Sequence, residues 1–146
     1  MPHSRDQCED DEENQNAVGE ERAIGAVVAV LRRQGSSDGL LLQACGALGI
    51  MCCNAENVQA AGKEGAIGAE VAVLRRQGAC DVLLEMTCEA LRIMCCSVEE
   101  NKKKAVRAGC AKVLMAVQQR ASASDDLRKA ARDALSRLSK LNGAGL

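Results

Sequence analysis

The segment from Ala23 to Cys53, AIGAVVAVLRRQGSSDGLLLQACGALGIMCC, returns 43 residues later as AIGAEVAVLRRQGACDVLLEMTCEALRIMCC, from Ala66 to Cys96. Of the 31 aligned positions, 22 are identical. A period in the 40s belongs to stacked helical units, each of which buries its apolar face only against a neighbour. A weaker third copy follows with one residue inserted. Glu100-Asn101 answers Glu56-Asn57, Ala108-Gly109 answers Glu64-Gly65, Ala116-Val117 answers Ala72-Val73, and Ala134-Leu135 answers Ala90-Leu91. The expected architecture is an all-α solenoid of about three units.

Each unit reads as a short helix, a sharp turn and two longer helices. In the second helix Ile24, Val28 and Leu31, like Ile67, Val71 and Leu74, fall at i, i+4 and i+7 and form one apolar stripe. Arg32-Arg33 and Arg75-Arg76 stand in the last turn of that helix, where cations favour the dipole, and Gly35 or Gly78 supplies a left-handed residue after it. Asp38, Asp81 and Asp125 precede the third helices and are expected as N-caps. Along the third helix Leu41, Ala44, Cys45, Leu48, Met51 and Cys52 share a face, repeated by Leu84, Thr87, Cys88, Leu91, Met94 and Cys95. The last helix, read over Leu127 to Leu141, turns Arg128, Lys129, Arg132, Arg137 and Lys140 outward, as suits a solenoid's terminal unit.

Composition limits what fills the core. With 47% apolar residues and no Phe, Trp or Tyr, the interior must be aliphatic, built with the help of nine cysteines. The net charge of -1 conceals a gradient: residues 1–16 carry -5, residues 17–99 carry -3 and residues 100–146 carry +7. No apolar run approaches the roughly 20 residues that span a bilayer, and the acidic start is unlike a signal peptide. The expectation is a cytoplasmic protein, with the nucleus as a second location, whose thiols stay reduced.

The units resemble armadillo repeats. The resemblance rests on Asn57-Val58-Gln59-Ala60-Ala61-Gly62-Lys63-Glu64-Gly65-Ala66-Ile67, on Val71 to Leu74, and on Ala44-Cys45-Gly46-Ala47-Leu48 with its echo Thr87-Cys88-Glu89-Ala90-Leu91. It implies a right-handed superhelix whose third helices line a concave groove that holds a peptide or a partner's helix. By that mapping the groove is formed by Gln43, Gly46, Ile50, Met86, Glu89, Arg92, Ile93, Asp133 and Arg137, with Gly49, Cys53, Cys96, Ser136 and Lys140 beside them. Ile50, Met86 and Ile93 are expected as an exposed apolar strip bordered by Glu89 and Arg92. Nuclear-import receptors of the family carry a Trp and, four residues on, an Asn on each third helix. Here those positions read Gly46 and Ile50, Glu89 and Ile93, Asp133 and Arg137, so recognition of a nuclear localisation signal in that manner is not expected.

The expected division is an acidic disordered tail over 1–12, a repeat domain over 13–142 with units at about 13–55, 56–99 and 100–142, and a flexible end at 143–146. The leading helix of the first unit is eroded to residues 13–18, which points to self-association through that end or to descent from a longer array. Catalysis is not expected: the single histidine, His3, lies in the tail, and no glycine-rich phosphate loop or paired nucleophile and base is present. The cysteine spacing, adjacent pairs at 52–53 and 95–96 with no C-x2-C, argues against structural zinc, and no cofactor is implied. The function expected is a non-catalytic protein-protein interaction scaffold. Two alternatives stand beside it. One is polyanion binding through Lys102, Lys103, Lys104 and Arg107, for which the lack of aromatic residues makes specific nucleic-acid binding unfavourable. The other is a redox-responsive adaptor using Cys8, Cys53, Cys80 or Cys96, expected to be exposed.

Overall fold

Side chains that hold one helical unit to the next recur at nearly constant sequence separation in the computed structural model, which describes residues 19–33 and 35–139. A helix runs through residues 19–32 (α1), followed by α2 (Asp38–Met51), α3 (Ala55–Lys63), α4 (Ala66–Leu74), α5 (Asp81–Cys96), α6 (Glu99–Arg107), α7 (Cys110–Gln118) and α8 (Asp125–Leu138). No strand occurs among the described residues. The sequence expectations for residues 1–18 and 140–146, including His3, Cys8, Lys140 and Leu141, lie outside them.

The helices sort into equivalent rows. Third helices α2, α5 and α8 lie side by side, second helices α4 and α7 pack together, and so do first helices α3 and α6. Between the rows sits an aliphatic core. Ile24 and Ile67, the same position in two copies, are both essentially without solvent exposure, and Val28, Val71, Leu31 and Leu74 are buried with them. From α2 and α5 come Leu41, Leu48, Leu84, Leu91 and Met94, and from the last unit Leu114, Leu127 and Leu138. Each such residue contributes on the order of 1.5–3 kcal/mol when taken fully out of water. The chain is an all-α solenoid.

Local chemistry sets the helix starts. Ser37 Oγ accepts from Leu40 N at 3.2 Å, Asn54 Oδ1 from Asn57 N at 2.8 Å, and Ser124 Oγ from Leu127 N at 3.1 Å. The aspartates expected as caps therefore sit one residue too late, at the first helical position. Two of them do something else. Asp38 Oδ2 accepts from Cys80 N at 3.0 Å, and Asp81 Oδ2 from Ser124 N at 2.9 Å. In each case the carboxylate satisfies the N–H of the N-cap residue in the following unit, a donor that points out of its own helix.

The arginines at the end of the second helix likewise reach forward. Arg32 Nη2 donates to Gly65 O at 3.3 Å and Arg75 Nη2 to Ala108 O at 2.9 Å. Both target the tight turn between the first and second helices of the next unit. That turn needs glycine: Gly65 has φ +84°, and a Cβ there would collide with the Arg32 guanidinium. Gly109 repeats the conformation with φ +76°.

Asparagine ties the units at a third level. Asn57 Nδ2 donates to Met51 O at 2.6 Å, and Asn101 Nδ2 donates to Met94 O at 3.0 Å and to Val58 O at 3.1 Å. Asn101 is buried and packs so closely on Gly62 that a Cβ there would clash with its amide. Replacing Asn101 by Ala removes two buried hydrogen bonds. The substitution is expected to lower stability by about 2–4 kcal/mol, since each unmade buried bond costs about 1–3 kcal/mol. Urea denaturation should show the midpoint falling with an unchanged slope, while Ser97→Ala, at an exposed helix end, should change little.

Candidate functional site

The groove positions expected from the sequence lie on α2, α5 and α8, which pack side by side, and they differ in exposure. Gln43 and Ile50 are exposed, Ile50 at 75%, whereas Gly46, Met86, Glu89, Arg92, Ile93, Asp133 and Arg137 are half-buried. Met86 and Ile93 pack against the core and so are not the protruding strip expected of them. Met86 reaches toward α2, where its Cε would be in ordinary contact, 3.7 Å, with a Cβ placed on Gly46.

Charge on this surface is paired across short distances. Arg92 Nη2 donates to Glu89 Oε2 at 2.9 Å. That bond holds the guanidinium pKa above its usual value against partial desolvation, and the nearby Asp133 carboxylate on α8 acts in the same sense. The centre of the row is thus close to neutral.

The basic segment of α6 is largely engaged in structure. Lys102 is buried and its Nζ lies 3.3 Å from Glu99 Oε1; Lys104 Nζ donates to Gly62 O at 2.9 Å; Arg107 Nη2 reaches Glu100 Oε1 at 3.2 Å. Lys103 is the member of the four exposed without such a bond among the described residues. Sequence charge alone overstates the cationic surface available here.

Cysteines divide by position. Cys45, Cys52, Cys88, Cys95 and Cys110 are buried, and Cys53, Cys80 and Cys96 are exposed. Burial pushes the Cys52 thiol up to about 11 and the Cys88, Cys95 and Cys110 thiols up to about 12, so these four act as small apolar groups. Among the described residues no group of three His, Cys, Asp or Glu side chains is placed to hold a metal ion.

Sequence reasoning missed Glu70. It sits on α4 with no solvent exposure. Cys45 Sγ donates to its Oε2 at 3.4 Å, while Oε1 has no hydrogen-bond partner. Thr87 completes the polar cluster. Its hydroxyl donates to Leu83 O at 2.7 Å and lies 3.6 Å from Cys45 Sγ. Desolvation pushes the Glu70 carboxyl up to about 8, although the Cys45 hydrogen bond opposes that shift, and burial with the Glu70 charge drives the Cys45 thiol far above its ordinary value. The signal was in the repeat alignment itself. Glu70 replaces Val27 of the first copy inside an otherwise identical AIGA-VAVLRRQG block.

No protein-family model matches the chain, and no curated protein sequence does. Solved structures do match. A designed armadillo repeat protein in complex with the peptide (KR)4 superposes with a TM-score of 0.69 at 23% identity, over 80% of this chain and 46% of that one. Computationally designed armadillo repeat proteins for modular peptide recognition give 0.68 at 22%, over 79% and 46%. A further designed armadillo repeat protein gives 0.67 at 23%, over 80% and 47%. The chain therefore has an armadillo-like repeat fold, and it spans about half the length of the solved structures it matches.

Glu70 makes stability depend on pH in a definite direction. Its folded-state pKa lies above the unfolded value of 4.5. The contribution is complete below pH 4.5 and is lost as pH rises through about 8, where folding must bury a charge. Each unit of separation is worth about 1.4 kcal/mol. Chemical denaturation of the wild type and of Glu70→Gln at pH 5, 7 and 9 should show Glu70→Gln gaining relative stability with each step upward; a constant difference would contradict the assignment.

Proposed function

We propose that the protein is a non-catalytic scaffold that binds a partner's peptide or helix along the concave face formed by α2, α5 and α8. The observation that carries this reading is Ile50. A large aliphatic side chain left 75% exposed on a row of equivalent, side-by-side helices is what a partner's apolar residue would cover. Glu89 and Arg92, on the neighbouring helix α5, offer polar groups to whatever backbone lies beside Ile50.

Two features of the solved neighbours support the peptide part of the reading. One of those proteins is held with the peptide (KR)4, and others were designed for modular peptide recognition. The ligand of this chain need not be basic. Glu89 is already neutralised by Arg92, so shape and apolar contact are expected to dominate over charge. Polyanion binding through α6 finds less support, because Lys102 is buried beside Glu99 and Lys104 is held by Gly62 O, which leaves Lys103 and Arg107 as the exposed cations of the four.

The test is selection of peptides from a random display library against the whole chain. Binders recovered in this way should lose at least about tenfold in affinity on Ile50→Arg, since covering one aliphatic side chain is worth about 1.5–3 kcal/mol. Thermal unfolding should be unchanged, because residue 50 faces solvent. Binders indifferent to both Ile50→Arg and Glu89→Arg would place recognition on another surface.

A further inference from the structure

A second surface repeats, on the side of the second helices. Between α1 and α4 lies a crevice of about 390 Å³, floored by Leu31, Ala69 and Val73 and rimmed by Arg32, Arg33 and Arg76. Between α4 and α7 lies a larger one of about 670 Å³, floored by Leu74, Val113 and Val117 and rimmed by Arg75, Lys112 and Arg120. The two are built from the same positions. Leu31 answers Leu74, Arg32 answers Arg75, Val73 answers Val117, and Arg76 of the first answers Arg120 of the second, while Arg76 borders both. No carboxylate lines either crevice.

The cations are placed rather than scattered. Arg32 and Arg75 are held by the turn carbonyls of Gly65 and Ala108, and Arg76 donates to Ser36 O at 2.9 Å with Asp38 3.7 Å away. Arg33, Lys112 and Arg120, by contrast, pair with no carboxylate among the described residues. Helix-end electrostatics does not account for Arg32, Arg75 and Arg76, which donate to carbonyls of neighbouring units rather than to their own helix ends. An apolar floor under a rim of fixed and free cations fits a ligand with aliphatic side chains and carboxylates together.

We infer that the two crevices form one docking surface for an extended acidic segment of a partner protein, carrying aliphatic residues at about every third position. Packed helices lie about 8–10 Å apart, and one three-residue turn of a polyproline II segment covers about 9 Å with every third side chain on the same side, so such spacing drops one aliphatic side chain into each crevice and leaves carboxylates between them against the rim. Charge complementarity selects this occupant. The acidic stretch over residues 6–13 of the chain itself, DQCEDDEE, supplies charge but no aliphatic side chain for the floors. This surface is separate from the α2–α5–α8 face, and its test does not depend on that reading.

The probe is the labelled peptide LDELDELDE, titrated into the full chain by fluorescence polarisation at about 50 mM and about 300 mM salt. Binding should weaken at the higher salt. The controls GDEGDEGDE, with no aliphatic anchors, and LNQLNQLNQ, with no charge, should each bind at least about tenfold more weakly. The double variant Lys112→Glu/Arg120→Glu should lose at least about tenfold with an unchanged circular-dichroism melt, and Ile50→Arg should have no effect. Deleting residues 1–16 should leave affinity unchanged; a marked gain would mean that the chain's own acidic stretch is the occupant, which overturns the proposal. It is equally overturned by absence of binding at low salt, by GDEGDEGDE binding as well as the probe, or by the double variant retaining wild-type affinity while Arg33→Glu also does.

Discussion

Main-chain groups at the start of one unit's helices are satisfied by side chains of the unit before it, and the rest of the architecture depends on that arrangement. Asp38 and Asp81 accept from the N-cap amides of the following third helices, and Arg32 and Arg75 donate to the following turn. Asn101 and Lys104 reach back, to Val58 O and Gly62 O. These bonds fix how far and at what angle each unit sits on the last. Apolar burial supplies most of the favourable free energy, but it is non-directional and tolerates sliding. The polar ladder removes that freedom, since a shifted unit would leave carbonyls and amides without partners.

Once the register is fixed, two surfaces follow. The third helices form one wall, with Ile50 exposed and Met86 and Ile93 packed against the core, and the second helices leave crevices between them because Ala69, Ala72 and Ala116 are too small to fill the space between neighbours. The walls differ chemically. One is nearly neutral around Glu89 and Arg92, with Ile50 prominent; the other is rimmed by cations. Glu70 departs from the otherwise aliphatic interior, with one carboxyl oxygen unsatisfied. It sits where the first two units meet, bonded to Cys45 of the first.

Much of this was legible in the residues because the internal repeat reports the environment twice. A position that reads Ile24 and Ile67, or Leu48 and Leu91, has to occupy one kind of place in both copies, and burial at each bears that out. Cys45, Cys52, Cys88 and Cys95 fell on the apolar stripe and are in the core. What sequence reasoning misassigned depends on contacts between units rather than within one. Asp38 looks like an N-cap because its nearest amides are local, yet Ser37 takes that role and the carboxylate turns to Cys80. Met86 looks exposed by helical spacing, but it packs against the core and reaches toward Gly46, one unit away. The cationic run in α6 is visible as charge, while its consumption by Glu99, Glu100 and Gly62 is not.

Coupling between units through the ladder is most directly measured by native-state hydrogen exchange on the wild type and on Asp81→Ala, followed at individual amides of α5 and α8. The account predicts that removing this one acceptor lowers the opening free energy of both helices together, by about 1 kcal/mol. If α8 amides lose protection while those of α5 keep their wild-type values, the units open independently and the ladder does not couple them.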